Sequence, residues 1–289
     1  AALAGDGSLW ATAHDGVLLT SDDGGAPWSV KLSGSDVASL SVGAIEAQVE
    51  ALQARLDAAT EDTREDIEWA LDEAQFALDE AMLAVDEGMT TPLLKVWFDG
   101  DLGYALGAYN VFLHTSDGGA TWDAHSNRLA NPDKYHLYSI VRSTAGTLLV
   151  AGEAGTLLRS LDGGDSWERI ESPYPGSFFA AVAAPDGSLM ILGLRGNAYR
   201  STDEGASWNA IATQDNRTLM GATANDEGTV VLAGAAGAVL LSRDSGESFR
   251  IVPTQGNRVY SDALLLDDGR ILLVGFGGIS VLAAEGDNG

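Results

Sequence analysis

The chain has 289 residues, 45% of them hydrophobic, and a formal net charge of −26. That composition is ordinary for a folded protein, and the size suits one or two domains. So acidic a surface repels nucleic acid and anionic lipid headgroups, and the absence of cysteine excludes a disulfide framework and a thiolate metal site.

The chain opens Ala1-Ala2-Leu3-Ala4, without Met. A cleaved secretory signal would leave such a start, as would an engineered one. Ala1–Gly5 reads as the end of an innermost strand, followed by strands at Ser8–Ala13, Val17–Thr20 and Trp28–Leu32. From about Ser41 to Gly88 the pattern changes. Ile45, Val49, Leu52, Leu56 and Ala59 fall at alternating four- and three-residue steps, which is a helical stripe. Thr60-Glu61-Asp62-Thr63 reads as turn and cap. Ile67, Leu71, Ala74, Leu78, Ala81 and Val85 repeat the stripe. Two such helices joined by a short turn predict an antiparallel hairpin inserted over 41–88, between β-rich segments 1–40 and 89–289. From Val42 to Gly88 there are 14 Asp or Glu and 2 Arg, a net −12 of the total −26.

The second helix carries a further apolar column. Trp69, Phe76 and Leu83 are seven residues apart, opposite the pairing stripe at 100° per residue. A hairpin buries one face of each helix, so this column needs another surface. One reading packs it on the rim of the domain; the other makes it a docking face for another protein.

After Gly88 short strands return in groups of four. Leu93–Phe98, Tyr104–Ala108, Val111–Thr115 and Trp122–Ala124 form the second unit. Leu137–Arg142, Phe178–Ala183 and Thr218–Thr223 open the third, fourth and fifth. A sixth, over Val259–Leu266, Arg270–Val274 and Ile279–Ala283, lacks an outer strand. The longest uncharged apolar stretch, from residue 271 to 284, is broken by glycines and too short for a spanning helix, which needs about 20 residues. No direct membrane insertion is expected.

One cassette ties the units together. It reads Ser/Thr-x-Asp-x-Gly-x-(Ser/Thr/Pro)-aromatic and occurs at Ser21–Trp28, Thr115–Trp122, Ser160–Trp167, Ser201–Trp208 and Ser242–Phe249. Its aspartates are 94, 45, 41 and 41 residues apart, so the first interval holds one period and an insertion. Asp and Ser bond the local backbone and Gly accepts positive φ, which is hairpin-turn chemistry. The aromatic is expected to tuck beneath the turn. A period of 40–45 residues with several short strands per unit predicts an all-β fold, a β-propeller of six blades with seven possible, carrying the inserted α-helical hairpin.

The cassette resembles the Asp-box (BNR) repeat. That resemblance covers nearly all of the chain outside the insertion; it specifies fold rather than function. The Leu-Leu-Val-Ala-Gly style of the middle strands is similar to the photosystem II stability and assembly factor family. The resemblance implies a non-catalytic propeller that holds membrane-protein partners during assembly, with an arginine-rich binding face. Asn127-Arg128, Asn216-Arg217 and Asn257-Arg258 recur after outer strands, so Arg128, Arg217 and Arg258 are the partial counterpart of that face. They suit carboxylates, with inter-blade ion pairing as the competing role. The acidity and the insert depart from the family pattern. Related propellers in non-photosynthetic bacteria resemble periplasmic accessories of export machinery, which makes an export or transporter complex a candidate partner.

The expected function is therefore an extracytoplasmic (periplasmic or secreted) scaffold or assembly factor for a membrane protein complex. No catalytic residue, cofactor or metal is expected. Trp69, Phe76, Leu83, Arg128, Arg217 and Arg258 are the candidate partner-binding residues. The alternative is a glycan-binding or sialidase-like glycosidase propeller. Phe249-Arg250-Ile251-Val252-Pro253 only superficially matches a sialidase signature, and His14, His114, His125 and His136 show no ligand pair at helical spacing. No Gly-x-Ser-x-Gly elbow is present.

Overall fold

The computed structural model of the protein describes residues 1–283. The last six residues assigned to the propeller segment, 284–289, lie outside them.

The described residues form six antiparallel sheets. The first is β1 (Ala2–Leu3), β2 (Leu9–Thr12), β3 (Leu18–Ser21) and β4 (Ser29–Leu32), paired in that order. Two helices follow, α1 (Gly34–Asp57) and α2 (Glu61–Asp86). The second sheet is β5 (Leu93–Asp99), β6 (Leu102–Gly107), β7 (Phe112–Thr115) and β8 (Asp123–Ala124). The third runs from β9 (Leu137–Arg142) through β10 (Leu148–Gly152) and β11 (Leu157–Ser160) to β12 (Glu168–Arg169). The fourth comprises β13 (Phe178–Ala183), β14 (Leu189–Gly193), β15 (Ala198–Ser201) and β16 (Asn209–Ala210). The fifth comprises β17 (Leu219–Ala224), β18 (Val230–Gly234), β19 (Val239–Ser242) and β20 (Arg250–Ile251). The sixth has three strands, β21 (Val259–Leu265), β22 (Ile271–Phe276) and β23 (Gly278–Leu282). The outer strand missing from the sequence pattern is therefore missing among the described residues too. Consecutive strands pair in chain order in every sheet, which is the up-and-down blade of a β-propeller.

The chain divides into two compact units. Ala1–Leu129 holds the first two sheets and the hairpin; residues from Ala130 onward hold the other four.

Within the second unit the middle strands explain the run of aliphatic residues. All five residues of β10, β14 and β18 are buried. Side chains alternate between the faces of a strand. In β18, Val230 and Leu232 join a cluster with Met190 and Leu192 of the fourth sheet. Val231 and Ala233 join one with Tyr260, Ile271 and Leu273 of the sixth. In β14, Leu189 and Ile191 turn to Leu149, Ala151 and Leu157 of the third sheet. β14 and β18 thus each supply both of their neighbours, and all three middle strands read as continuous apolar runs. Each fully buried Val, Leu, Ile or Met of these strands contributes about 1.5–3 kcal/mol.

The cassettes close the hairpins of the outer strands. In the fourth sheet, Ser201 Oγ donates to Asp203 Oδ1 at 2.7 Å and accepts from Gly205 N at 2.9 Å. Asp203 in turn accepts from Ser207 N at 2.9 Å and Ser207 Oγ at 2.6 Å. The same pattern holds at Thr115/Asp117/Thr121, Ser160/Asp162/Ser166 and Ser242/Asp244/Ser248. Gly119, at φ +89°, shows why the later glycine is needed: a Cβ there would stand 2.5 Å from the Trp10 ring of the preceding sheet. The aromatic tucks under the turn in three cassettes, where Trp122, Trp167 and Phe249 are buried. Trp208 is half-buried and Trp28 is exposed. The first cassette departs chemically as well. Pro27 has neither the N–H nor the hydroxyl that Thr121 or Ser207 gives its aspartate, and Asp23 accepts from Ala26 N at 3.1 Å instead.

Side chains also stitch adjacent blades. Arg159 Nη1 donates to Glu204 O at 3.0 Å, and Arg200 Nε to Ser245 O at 3.1 Å, each reaching the cassette of the next sheet. The turns between second and third strands are short 3₁₀ turns, with Asp15, Tyr109, Ala154, Arg195 and Ala236 all at positive φ.

Two outcomes follow for stability. Ser201 is buried, so Ser201→Ala removes a donor to Asp203 and strands the Gly205 N–H; it is expected to cost about 1–2 kcal/mol in urea denaturation. The Thr121 hydroxyl and N–H, with Thr115, hold Asp117 at a pKa of about 2, and Ser207 with Ser201 does the same for Asp203. A carboxylate depressed in the folded state stabilises it above the unfolded value near 3.8, and that stabilisation is lost as pH falls toward the folded value. Stability followed by denaturant titration is expected to fall between about pH 4 and pH 2, and less steeply in Asp203→Asn.

Candidate docking face and its surroundings

The hairpin begins before the stripe that identified it. Ser33 caps α1: its Oγ accepts from Asp36 N at 3.3 Å, while Asp36 Oδ2 accepts from Ser33 N at 2.8 Å. This is a capping box. Gly34 fits here because a Cβ would stand 2.1 Å from Asp15 O.

The first turns of α1 do not pair with α2. Val37 is buried, and Leu40 and Ala44 pack with it against Trp10, Leu18, Trp122 and Ala124 of the first two sheets. Asn127 Nδ2 donates to Ala44 O at 3.4 Å, fastening the base of the hairpin further, and beside it Lys31 Nζ of β4 donates to Ala120 O of the second cassette at 3.0 Å. A cavity of about 920 Å³ lies along this seam, lined by Leu40, Gly43, Ala44, Ala47 and Trp122 among others. The distal half is where the helices meet. Leu52, Leu71 and Ala74 form a small buried core, with Val49, Leu56 and Ala70 around it.

Trp69, Phe76 and Leu83 come together on the opposite face of α2. They are 65%, 65% and 58% exposed. The sheets of its own unit leave this column uncovered. Three residues absent from the sequence column enlarge the exposed apolar surface: Met82, Val85 and Met89. Val85 belongs to the pairing stripe by position. It is left uncovered because the end of α1 alongside it turns Val37, Leu40 and Ala44 into the sheet core. Asp and Glu dominate the rest of α2, and its one cation, Arg64, sits 3.8 Å from Glu68.

The arginines are differently placed. Arg128 ends a 3₁₀ turn in the first unit and is exposed. In the second unit, Arg217 pairs with the side chain of Asp215, Nε lying 2.9 Å from both carboxylate oxygens, and donates through Nη1 to Ala236 O at 2.9 Å. That hydrogen bonding lowers the pKa of Asp215 and raises that of Arg217. Arg258 Nη1 donates to Ser280 Oγ at 2.7 Å. A cavity of about 730 Å³ is lined by Arg217 together with Arg195, Asn197, Gln214 and Asn216. Arg195 was not singled out by the sequence; its position at the tip of a strand turn is the signal that could have found it. Among the described residues no cluster of three or more His, Asp or Glu is arranged to hold a metal ion, and no helix is long and apolar enough to cross a membrane.

Blades built on Asp-box cassettes, with an acidic hairpin between the first and second, define an Asp-box β-propeller carrying a helical insertion. The model of the photosynthesis system II assembly factor YCF48 family matches residues 77–229. The chain belongs to that family. A photosystem II assembly lipoprotein Ycf48 of Synechococcus sp. (strain CC9902) is 33% identical over 88 residues, a match spanning 29% of this chain and 26% of that relative. Among solved structures, YCF48 bound to D1 peptide is similar over 100% of this chain and 77% of the other, with a TM-score of 0.58 at 16% identity. The Niastella koreensis GH74 enzyme is similar over 97% of this chain and 44% of its own, with a TM-score of 0.60 at 14% identity. Likeness at these identities is likeness of fold.

The two faces of α2 should respond differently to truncation. Leu71→Ala, in the small hairpin core, is expected to cost about 2–4 kcal/mol in the unfolding of the hairpin. Phe76→Ala is expected to change it by less than about 0.5 kcal/mol. Helicity followed by circular dichroism through a urea titration checks both.

Proposed function

We propose that this chain is a non-catalytic assembly factor that holds a subunit of a membrane protein complex on the extracytoplasmic side, with the outer face of α2 as its docking surface. Membership of an assembly-factor family supports the class of function. The observation that carries the docking surface is the exposed column of Trp69, Phe76 and Leu83 on a helix whose other face is already paired. Large apolar side chains ringed by charge are the composition of an interface centre with a polar rim.

A relative bound to D1 peptide, and another described as a lipoprotein, support a membrane-protein partner and an extracytoplasmic site of action. None of the similarities described above supports an export or transporter complex as that partner. Arg128, exposed on its turn, is proposed as an additional contact. Arg217 and Arg258, each bonded within its own unit, are proposed as weaker ones. A glycosidase reading has only likeness of fold behind it, and 42 Asp or Glu are too many to nominate a catalytic pair.

The test is co-purification of a tagged chain from host membranes in mild detergent, followed by mass spectrometry. The unaltered chain is expected to recover subunits of one membrane complex. Trp69→Ser/Phe76→Ser/Leu83→Ser, which alters only exposed positions, is expected to lose at least about tenfold of that recovery. Undiminished recovery by the triple variant contradicts the docking surface, and turnover of a polysaccharide by the purified chain contradicts the non-catalytic role.

A further inference from the structure

Resting on that docking reading, the charge around the column says what kind of segment it takes. Trp69, Phe76 and Leu83 are one heptad apart and span about 21 Å of helix at 1.5 Å per residue. A seven-residue apolar repeat is the spacing by which one helix packs along another. Around it the helix is strongly acidic: α2 carries ten Asp or Glu against the single Arg64. At 100° per residue, Glu65 and Asp72 lie to one side of the column and Asp66 and Glu73 to the other, and all four are exposed. Arg64 falls away from the column and faces Glu68.

We infer that the outer face of α2 binds a basic amphipathic helix of a partner protein, which packs as a third helix against the hairpin. Its apolar residues would meet Trp69, Phe76 and Leu83, and its Lys or Arg side chains would meet the acidic flanks. Charge complementarity selects this occupant over the others. A second copy of the hairpin would set the same acidic flanks against each other, and an anionic membrane surface would be repelled. A neutral helix could use the column but would leave the acids on both sides without a counterpart.

The test uses the full chain and two synthetic 21-residue helical peptides with the same leucine heptads, one flanked by Lys and the other by Glu. Binding is measured by fluorescence anisotropy at about 0.15 M salt, where surface charges act over about 8 Å. The Lys peptide is expected to bind at least about tenfold more tightly than the Glu peptide. Trp69→Ser/Phe76→Ser should weaken it at least about tenfold, and Glu65→Lys/Asp72→Lys/Glu73→Lys should reverse the preference. Equal binding of the two peptides, binding of neither, or Lys-peptide binding unaffected by Trp69→Ser/Phe76→Ser overturns the inference. If the serine variant loses the membrane complex while the Lys peptide fails to bind the intact chain, the docking surface stands and the basic partner helix is wrong.

Discussion

A hydroxyl shared between a carboxylate and a glycine N–H organises this molecule. In each of five cassettes the Ser or Thr Oγ donates to the aspartate two residues on and accepts from the glycine N–H four residues on. The hydroxyl is buried in all five. Once it is fixed, the turn has one geometry, the chain reverses into a very short outer strand, and the turn presents its backbone to the neighbouring blade. The arginines at 159 and 200 use that presentation directly, bonding carbonyls at Glu204 and Ser245. Packing then follows from alternation along the middle strands, whose two faces feed two different clusters. Local hydrogen bonding and inter-blade burial therefore depend on the same repeat.

That coupling is why the blades could be read from residues alone. The turn chemistry sits in contiguous sequence, and the apolar runs before it have the length of a buried strand. The hairpin was legible for a different reason, since a stripe at helical spacing differs plainly from a strand of period two. Its start was not. Residues 34–40 lack the stripe because Val37 and Leu40 face the sheets instead of α2, and the capping box at Ser33 and Asp36 is the local signal that marks the true beginning. Val85 illustrates the same limit: its position in the periodic pattern predicts pairing, but which part of α1 turns away toward the sheets is a tertiary matter.

The candidate site was legible to a similar degree. An apolar column on the back of a paired helix is visible in sequence, and whether something covers it is not. Trp69, Phe76 and Leu83 are open, and Met82 and Met89 add to them. The recurring Asn-Arg pairs marked equivalent loops, yet recurrence could not tell what each guanidinium bonds. Asp215, two residues before Arg217, had to be seen in space to be recognised as its partner. Arg195 stands at the tip of a strand turn, which marks it as a loop residue, but that it lines a cavity with Arg217 is a matter of tertiary placement.

The repeat builds the blades, and partner capture is the role proposed for the one exposed, acidic helical face. Site-specific photo-crosslinking in intact membranes tests it most directly, with the photoreactive residue placed at Phe76 or, as a control, at Leu161, equally exposed at 65% but on a cassette turn. The account predicts adducts to a subunit of a membrane protein complex from position 76 and none from position 161. Adducts from position 161 alone, or the same adducts from both, would contradict it.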